Sequence, residues 1–299
     1  MIPNSIPLLD DLTEPLIELI RRASTDLPAD VEAALRQAQA REEPGSAAAS
    51  ALATILENVA LARAKSAPVC QDTGALIFYV RHPEGVSTRQ LRAQIEAAVA
   101  EATRRAYLRP NAVDALNGRN SGDNLGAGSP TLHFEEWEAD YVQVDLLLKG
   151  GGSENVSIQY SLPYEPLDVG RDLEGVRRVV LDAVYRAQGQ GCAPGILGVC
   201  IGGDRGSGYV HAKAQLFRPL TDANPAPELA ALEARLLREC NELGIGPMGF
   251  GGKTTVLGVK IGALHRLPAC YFVTVAYMCW ACRRASMTVQ GGKVSFNER

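Results

Sequence analysis

The chain has 299 residues, with 30 Lys plus Arg against 34 Asp plus Glu and 46% hydrophobic residues, enough length and apolar content for a well-buried core. This balance excludes a disordered chain, and a formal net charge of -4 leaves no electrostatic footprint for nucleic acid. Seven cysteines, an odd number, call for an explanation.

The amino-terminal stretch MIPNSIPLLDDLTEPL has neither a basic start nor an apolar core closed by small residues, so no secretory signal is expected and the protein is expected to be cytoplasmic. Leu12 to Ala23, Ala29 to Ala40 and Ala47 to Ala64 are Ala-rich, with apolar residues three and four apart, and predict helices. A strand is predicted at Ala75 to Val80, leaving a CQDTG turn. Ser87 with Gln90 three residues on is a capping-box signature for a helix carrying Leu91, Ile95, Val99 and Ala102.

From Pro110 to Pro130 the composition turns to Asn, Gly, Asp and Ser, a long loop of the kind that compact domains keep for functional reasons. Tyr141 to Lys149 predicts a strand running into Gly150, Gly151 and Gly152. A helix is predicted over Leu173 to Ala187, a Gly-rich connection over Gly191 to Gly203, and a helix with Leu229, Leu232, Leu236 and Cys240 on one face. A third Gly-rich loop, Gly244 to Gly252, feeds predicted strands at Thr254 to Ile261 and Cys270 to Cys279. The apolar stretch Pro268 to Ala281, about 14 residues, falls short of the roughly 20 that span a bilayer and reads as a buried strand, so no membrane partner is expected. The elements follow no regular alternation and no linker interrupts them. The expectation is one α+β domain over residues 1–299, with a helical amino-terminal part and a mixed sheet packed with helices.

Gly244, Gly246 and Gly249 match the GxGxxG pattern, but after a helix and before a strand, the reverse of the dinucleotide-binding order, and Pro247 removes an amide. Gly252, Lys253 and Thr254 resemble the end of a phosphate loop, yet its required first glycine falls on Pro247. Lys149, Arg205 and Lys253 beside Gly-rich loops read as solvated charges. His82, His133 and His211 read as surface or structural residues.

Scattered cysteines in a reducing compartment leave metal binding, catalysis and core packing open. Cys240 on an apolar helical face, Cys270 in an apolar strand and Cys200 in LGVCIGG read as small core residues. Cys279 and Cys282 form CWAC, a minor thioredoxin-type alternative, although the motif follows a late strand. Cys70 in CQDTG, Cys192 in CAPG and Cys279 each lie at the end of an element. Three such thiolates suit an iron-sulfur cluster with one open iron, a zinc site, or packing without metal, and composition alone favours the last.

CQDTG at Cys70 to Gly74, LRPNAV at Leu108 to Val113 followed by GRNSGDN, KGGGSEN at Lys149 to Asn155, Gly191 to Pro194, GPMGFGGKTTVLGVK at Gly246 to Lys260, the region of His265 and CWACRR at Cys279 to Arg284 together resemble the class I fumarase and tartrate dehydratase family. The resemblance covers about residues 30–285 with the motifs in family order. It implies a 4Fe-4S cluster on Cys70, Cys192 and Cys279, with the Gly-rich loops around it and Cys282 outside the ligand set. It also implies reversible hydration of a dicarboxylic acid, with the open iron as Lewis acid, and substrate binding by Gln71, Asp72, Arg109 and Gly151. Asp72 and His265 are implied as proton-handling residues, His265 reaching a neighbouring subunit's site.

Longer family members carry a second domain, whereas this sequence stops at Arg299. The chain therefore resembles an α subunit that needs a separate β subunit in a hetero-oligomer such as α2β2. The expected function is cytoplasmic fumarate hydration to L-malate, a tricarboxylic acid cycle reaction. L(+)-tartrate dehydration to oxaloacetate is the alternative, and a zinc- or thiol-based binding or redox protein the competitor of another class.

Overall fold

A computed structural model describes residues 11–297. The first ten residues of the stretch read for a targeting signal lie outside the described residues. The chain forms two compact units of interleaved segments. The first comprises residues to Ala29, Asn58–Gly150 and residues from Ala281. The second comprises Asp30–Glu57 and Gly151–Trp280.

The amino-terminal part is helical: α1 (Thr13–Thr25), α2 (Ala29–Arg41) and α3 (Ala47–Lys65), the last passing from the second unit to the first. In the first unit the sheet holds β1 (Ala75–His82), β2 (Thr131–Glu136), β3 (Val142–Lys149), β8 (Arg283–Gln290) and β9 (Lys293–Asn297), in the order β2-β1-β3-β8-β9. Only the β1–β2 pair is parallel. Helix α4 (Thr88–Arg104) starts where the Ser87 hydroxyl accepts the Gln90 amide at 3.3 Å, and its buried stripe is Leu91, Ile95, Ala98, Val99 and Ala102. That stripe and Leu16 and Ile20 of α1 belong to one core with Leu76, Phe78, Val80, Val144, Leu146 and Leu148 of the sheet. Burial of such side chains is the main force holding the unit together.

The second unit has a sheet ordered β4-β7-β5-β6, with β4 (Ile158–Ser161), β5 (Gly195–Ile201), β6 (Val256–Ala263) and β7 (Phe272–Met278). Strand β5 pairs parallel with β6 and antiparallel with β7. Helices α5 (Gly151–Asn155), α6 (Leu173–Ala187), α7 (Arg205–Gln215) and α8 (Pro227–Glu242) accompany it. The α6 residues Val176, Val180 and Val184 and the α8 residues Leu232, Leu236 and Cys240 share a core with Val199, Val259 and Val275. An α+β architecture of mixed sheets packed with helices is thus present.

Several details depart from the reading of the sequence, among them two sheets where one mixed sheet was expected. Residues 195–201, expected within a Gly-rich connection, form the buried interior strand β5. Gly198 is there because α7 presses on the strand: a methyl group at this position would meet the Ala212 carbonyl oxygen at 2.1 Å. Helix α7 itself was not foreseen; Asp204 caps it by accepting the amides of Gly206 and Ser207. Cys270 lies in the turn before β7 rather than inside the strand, its amide donating to the Leu267 carbonyl at 3.0 Å. Lys149, expected as a solvated charge, is 1% exposed, because it ends β3, whose residues are all buried.

Candidate functional site

In the first unit the CQDTG turn is held from several sides. Just before it, the Val69 amide donates to the Ser24 carbonyl at 2.8 Å, and the Asn58 side-chain amide donates to the Val69 carbonyl at 2.8 Å. Cys70 is half-buried and Gln71 exposed. The Asp72 carboxylate accepts the Gly74 amide at 3.0 Å, closing the turn through its own side chain. Gly74 has φ +80° and lies against the main chain of Lys149, where a methyl group would come within 2.7 Å, so both the turn and the close approach require glycine.

Thr73, buried at the centre of the turn, accepts the Arg109 amide at 3.1 Å and the Asn111 side-chain amide at 2.9 Å. The exposed Arg109 side chain reaches the Gln71 carbonyl with Nη1 at 3.4 Å. Asn124, 2% exposed, organises the long loop behind these residues. Its oxygen accepts the amides of Asn111 and Ala112 at 2.6 and 3.2 Å, and its Nδ2 donates to the Arg109 carbonyl and Thr103 hydroxyl at 2.8 and 2.9 Å. Cys70, Gln71, Asp72 and Arg109 are therefore brought together within this unit. Lys149, Arg283 and Arg284, all buried, add positive charge to the same unit.

The second unit joins two of the remaining cysteines. The register pairs Ile196 of β5 with Met278 of β7, so the loop before β5, carrying Cys192, lies beside the segment after β7, carrying Cys279. The Trp280 amide donates to the Cys192 carbonyl at 3.1 Å. Cys192 has φ +55°, a left-handed conformation uncommon outside glycine and Asn. The Met248 amide donates to the Ala193 carbonyl at 2.8 Å, tying the third Gly-rich loop to this one.

Tyr277, 1% exposed, packs under the Cys192 loop; a methyl group on either Gly191 or Gly195 would meet its ring at 2.4 Å. Burial raises the ionisation of its hydroxyl well above the ordinary value, and the nearby Cys279 and Cys192 push in the same direction. Gly151 is exposed at the start of α5, and its neighbour Gly152 lies against the Gln190 carbonyl, where a methyl group would come within 3.3 Å. The glycine loop and the Cys192 loop therefore meet.

His265 is elsewhere. It follows β6, is exposed, and lines a surface pocket of about 470 Å³ with Ile201, Gly202, Leu264, Arg266 and Tyr271. That is the end of β5 opposite to Cys192, about 20 Å away at the usual strand rise of roughly 3.3 Å per residue.

Cys70, Cys192 and Cys279 are half-buried, as is Cys270, and thiolates are the usual ligands of iron-sulfur clusters. Cys200 and Cys240, in contrast, are sealed in the interior, and burial pushes their thiols up to about 12. Cys282 is buried, with Arg284 Nη1 3.5 Å from its sulfur. CWAC connects a strand to a strand with no helix beginning at it, so it lacks the helix terminus that activates a thioredoxin-type thiol. Among the described residues, no three His, Cys, Asp or Glu side chains converge on a point where a single ion could bind.

Reading the sequence alone overlooked Arg283, Asn124 and Tyr277. The first two stand inside quoted motifs, CWACRR and GRNSGDN, which was the available signal. Tyr277 carried none beyond its place two residues before Cys279.

The first unit thus holds Cys70 in a polar CQDT turn beside Arg109, and the second holds Cys192 beside the segment of Cys279. A family model for fumarate hydratase (Fumerase) matches residues 13–288, and the chain belongs to the class I fumarate hydratase and L-tartrate dehydratase α-type family. A Geobacillus stearothermophilus protein provisionally named fumarate hydratase class I is 52% identical over 284 residues, 94% of this chain and 55% of its own length. This chain thus spans about half of that relative. A Methanocaldococcus jannaschii protein provisionally named L(+)-tartrate dehydratase subunit alpha is 34% identical over 92% of this chain and 96% of its own. The L(+)-tartrate dehydratase subunit alpha of Escherichia coli K12 is 31% identical over 96% and 93%.

Proposed function

We propose that this chain is the α-type component of an iron-sulfur hydro-lyase that hydrates fumarate reversibly to L-malate. The observation that carries the reading is that, in a chain of this family, Cys70, Cys192 and Cys279 fall in the CQDTG, CAPG and CWAC motifs and are half-buried, as is Cys270 in the turn before β7, while Cys200, Cys240 and Cys282 are sealed in the interior. These three cysteines would hold a 4Fe-4S cluster, whose open iron, when bound, supplies Lewis acidity to the substrate hydroxyl and carboxylate.

The chain's own residues do the rest. Arg109 offers a planar fork for the far carboxylate of the substrate. Gln71 and Asp72 follow a ligand cysteine directly and contact substrate, and Gly151 lets the main chain approach it. Asp72, held in the turn by its bond to the Gly74 amide, is the group that takes or returns a proton in this reading. His265, at the far end of β5, serves the site of a neighbouring subunit rather than its own.

A β-type chain completes the site. Two relatives are named as alpha subunits, and the Geobacillus relative carries nearly as much sequence again beyond the matched part. Fumarate is favoured by the 52% identity to that relative. Tartrate dehydration is the second reading, favoured by relatives that match this chain over nearly their whole length. Among the described residues no helix is long and apolar enough to cross a membrane.

Anaerobic co-expression with a β-type chain, followed by assays on fumarate, malate and both tartrate enantiomers, tests the reading. Turnover of fumarate and malate with iron and sulfide bound is expected. Inactivity on all four would overturn it, and preference for a tartrate would select the second reading.

A further inference from the structure

Arg283 is one of the largest fully buried side chains among the described residues, 1% exposed. It opens β8, where the register pairs it with Leu148 of β3, while Lys149, the next residue of β3, pairs with Ala75 at the start of β1. Three strand ends thereby converge beside the CQDTG turn. Arg283 uses this place to donate from Nη1 to the Asp72 carbonyl at 2.5 Å, a contact across 211 residues of sequence. The same guanidinium borders Gly150, where a methyl group would meet Arg283 Nη2 at 3.5 Å and the Asp72 carboxylate at 3.0 Å. Its Nε is buried without a hydrogen-bond partner.

A guanidinium kept out of water with one donor unused is costly, and an apolar residue of similar size would fill the space more cheaply. Its one strong feature is directional: a charge-assisted bond to the main chain of the residue whose side chain is aimed at substrate. Resting on the hydro-lyase reading above, we propose that Arg283 is a positioning residue. It clamps the peptide at Asp72 against the β3–β8 strand ends, so that the Gln71 and Asp72 side chains keep one orientation toward substrate.

The test uses the α-type chain co-expressed with its β-type partner, as wild type, Arg283→Lys and Arg283→Met. Three readouts are taken: amide hydrogen exchange, iron per chain, and kcat with KM on fumarate. In Arg283→Met, exchange is expected to accelerate at residues 71–74 while β3 and β8 stay protected, with iron unchanged. The kcat should fall roughly 10- to 100-fold, the scale on which small misplacements of reacting groups act, and KM should change much less. Arg283→Lys, which can still donate one bond to the Asp72 carbonyl, should recover part of both effects.

Wild-type exchange at 71–74 in Arg283→Met overturns the clamp. So does acceleration spread evenly over the unit in both variants, which would make Arg283 a general support, or unchanged kcat alongside a loosened turn. A wild-type complex inactive on every dicarboxylate defeats the hydro-lyase reading instead, and the exchange and iron measurements then decide the clamp by themselves.

Discussion

The ring of Tyr277 lies directly beneath Gly195, so that a single added methyl group would stand 2.4 Å from a ring carbon. This contact fixes the level at which the Cys192 loop enters β5. Gly195→Ala is therefore expected to lower stability by about 1–3 kcal/mol, the usual cost of overpacking. Urea unfolding of the apo chain measures it. Combining Gly195→Ala with Tyr277→Ala should cost less than the two changes summed, since they share one contact; strict additivity would show that the ring is not what the methyl meets.

Asn124 holds the loop that carries Arg109 with both its oxygen, on the Asn111 and Ala112 amides, and its nitrogen, on the Arg109 carbonyl. Asn124→Ala should leave buried main-chain groups without partners, at roughly 1–3 kcal/mol. Limited proteolysis is expected to open the loop within residues 110–122 sooner than in wild type, and KM for the dicarboxylate should rise as Arg109 loses its placement. Cleavage at wild-type rate would show that other contacts suffice to hold the loop.

Comparison of these two sites shows what a sequence discloses. Helix α6 was legible to the residue because its apolar stripe repeats at helical spacing and Asp172 caps it. Strand β5 was not, because Gly195, Gly198, Gly202 and Gly203 give its segment the composition of a loop. The reasons for the first two of these glycines, the Tyr277 ring and the Ala212 carbonyl, lie on other elements, β7 and α7. The cysteines and the CQDT turn were legible as motifs. The roles of Asn124 and Arg283 were not, since an asparagine in a polar loop and an arginine after CWAC look solvated until tertiary contacts bury them.

Thiol chemistry gives a pH-dependent outcome. The thiols of Cys200 and Cys240 rise from an ordinary value of 9.0 to about 12 in the folded chain. A raised folded value means that the stability is fully present below pH 9 and is lost as pH climbs toward 12, because only the unfolded chain releases these protons in that window. At pH 10 each thiol should cost about 1 kcal/mol relative to pH 8. Unfolding at both pH values, repeated with Cys200→Ala and Cys240→Ala, checks it; an unchanged pH slope in the variants would remove these thiols as its source. Alkylation of the folded apo chain at pH 8 should label Cys70, Cys192 and Cys279 ahead of Cys200 and Cys240.

Serine substitutions divide the cysteines by role. Cys70→Ser, Cys192→Ser and Cys279→Ser are each expected to lose iron and visible absorbance, because an alcohol is a far poorer ligand for cluster iron than a thiolate. Cys200→Ser and Cys240→Ser should keep both while losing some stability. Full iron content in any of the first three would remove that residue from the ligand set. Since an open iron is also exposed to oxidants, air should inactivate the wild-type complex, and iron with thiol should restore part of its activity. Indifference to prolonged air would argue for another centre.

His265 and Cys192 lie at opposite ends of β5, a separation that one chain cannot close without breaking its own sheet. If His265 acts, it acts on a second copy, and that can be tested without knowing the interface. Chains carrying His265→Asn and Cys279→Ser are each expected to be nearly inactive in homogeneous complexes. In a complex purified to contain one of each, one site combines intact cysteines with the other chain's intact histidine, while its symmetry mate has neither. About half of the wild-type activity should return if the two sites are related by a twofold axis. Were His265 to serve its own chain, every site in the mixed complex would lack one group, and no activity would return. The ratio of mixed to wild-type kcat thus reads the origin of the histidine directly, and a value near zero would remove the neighbouring subunit from the mechanism.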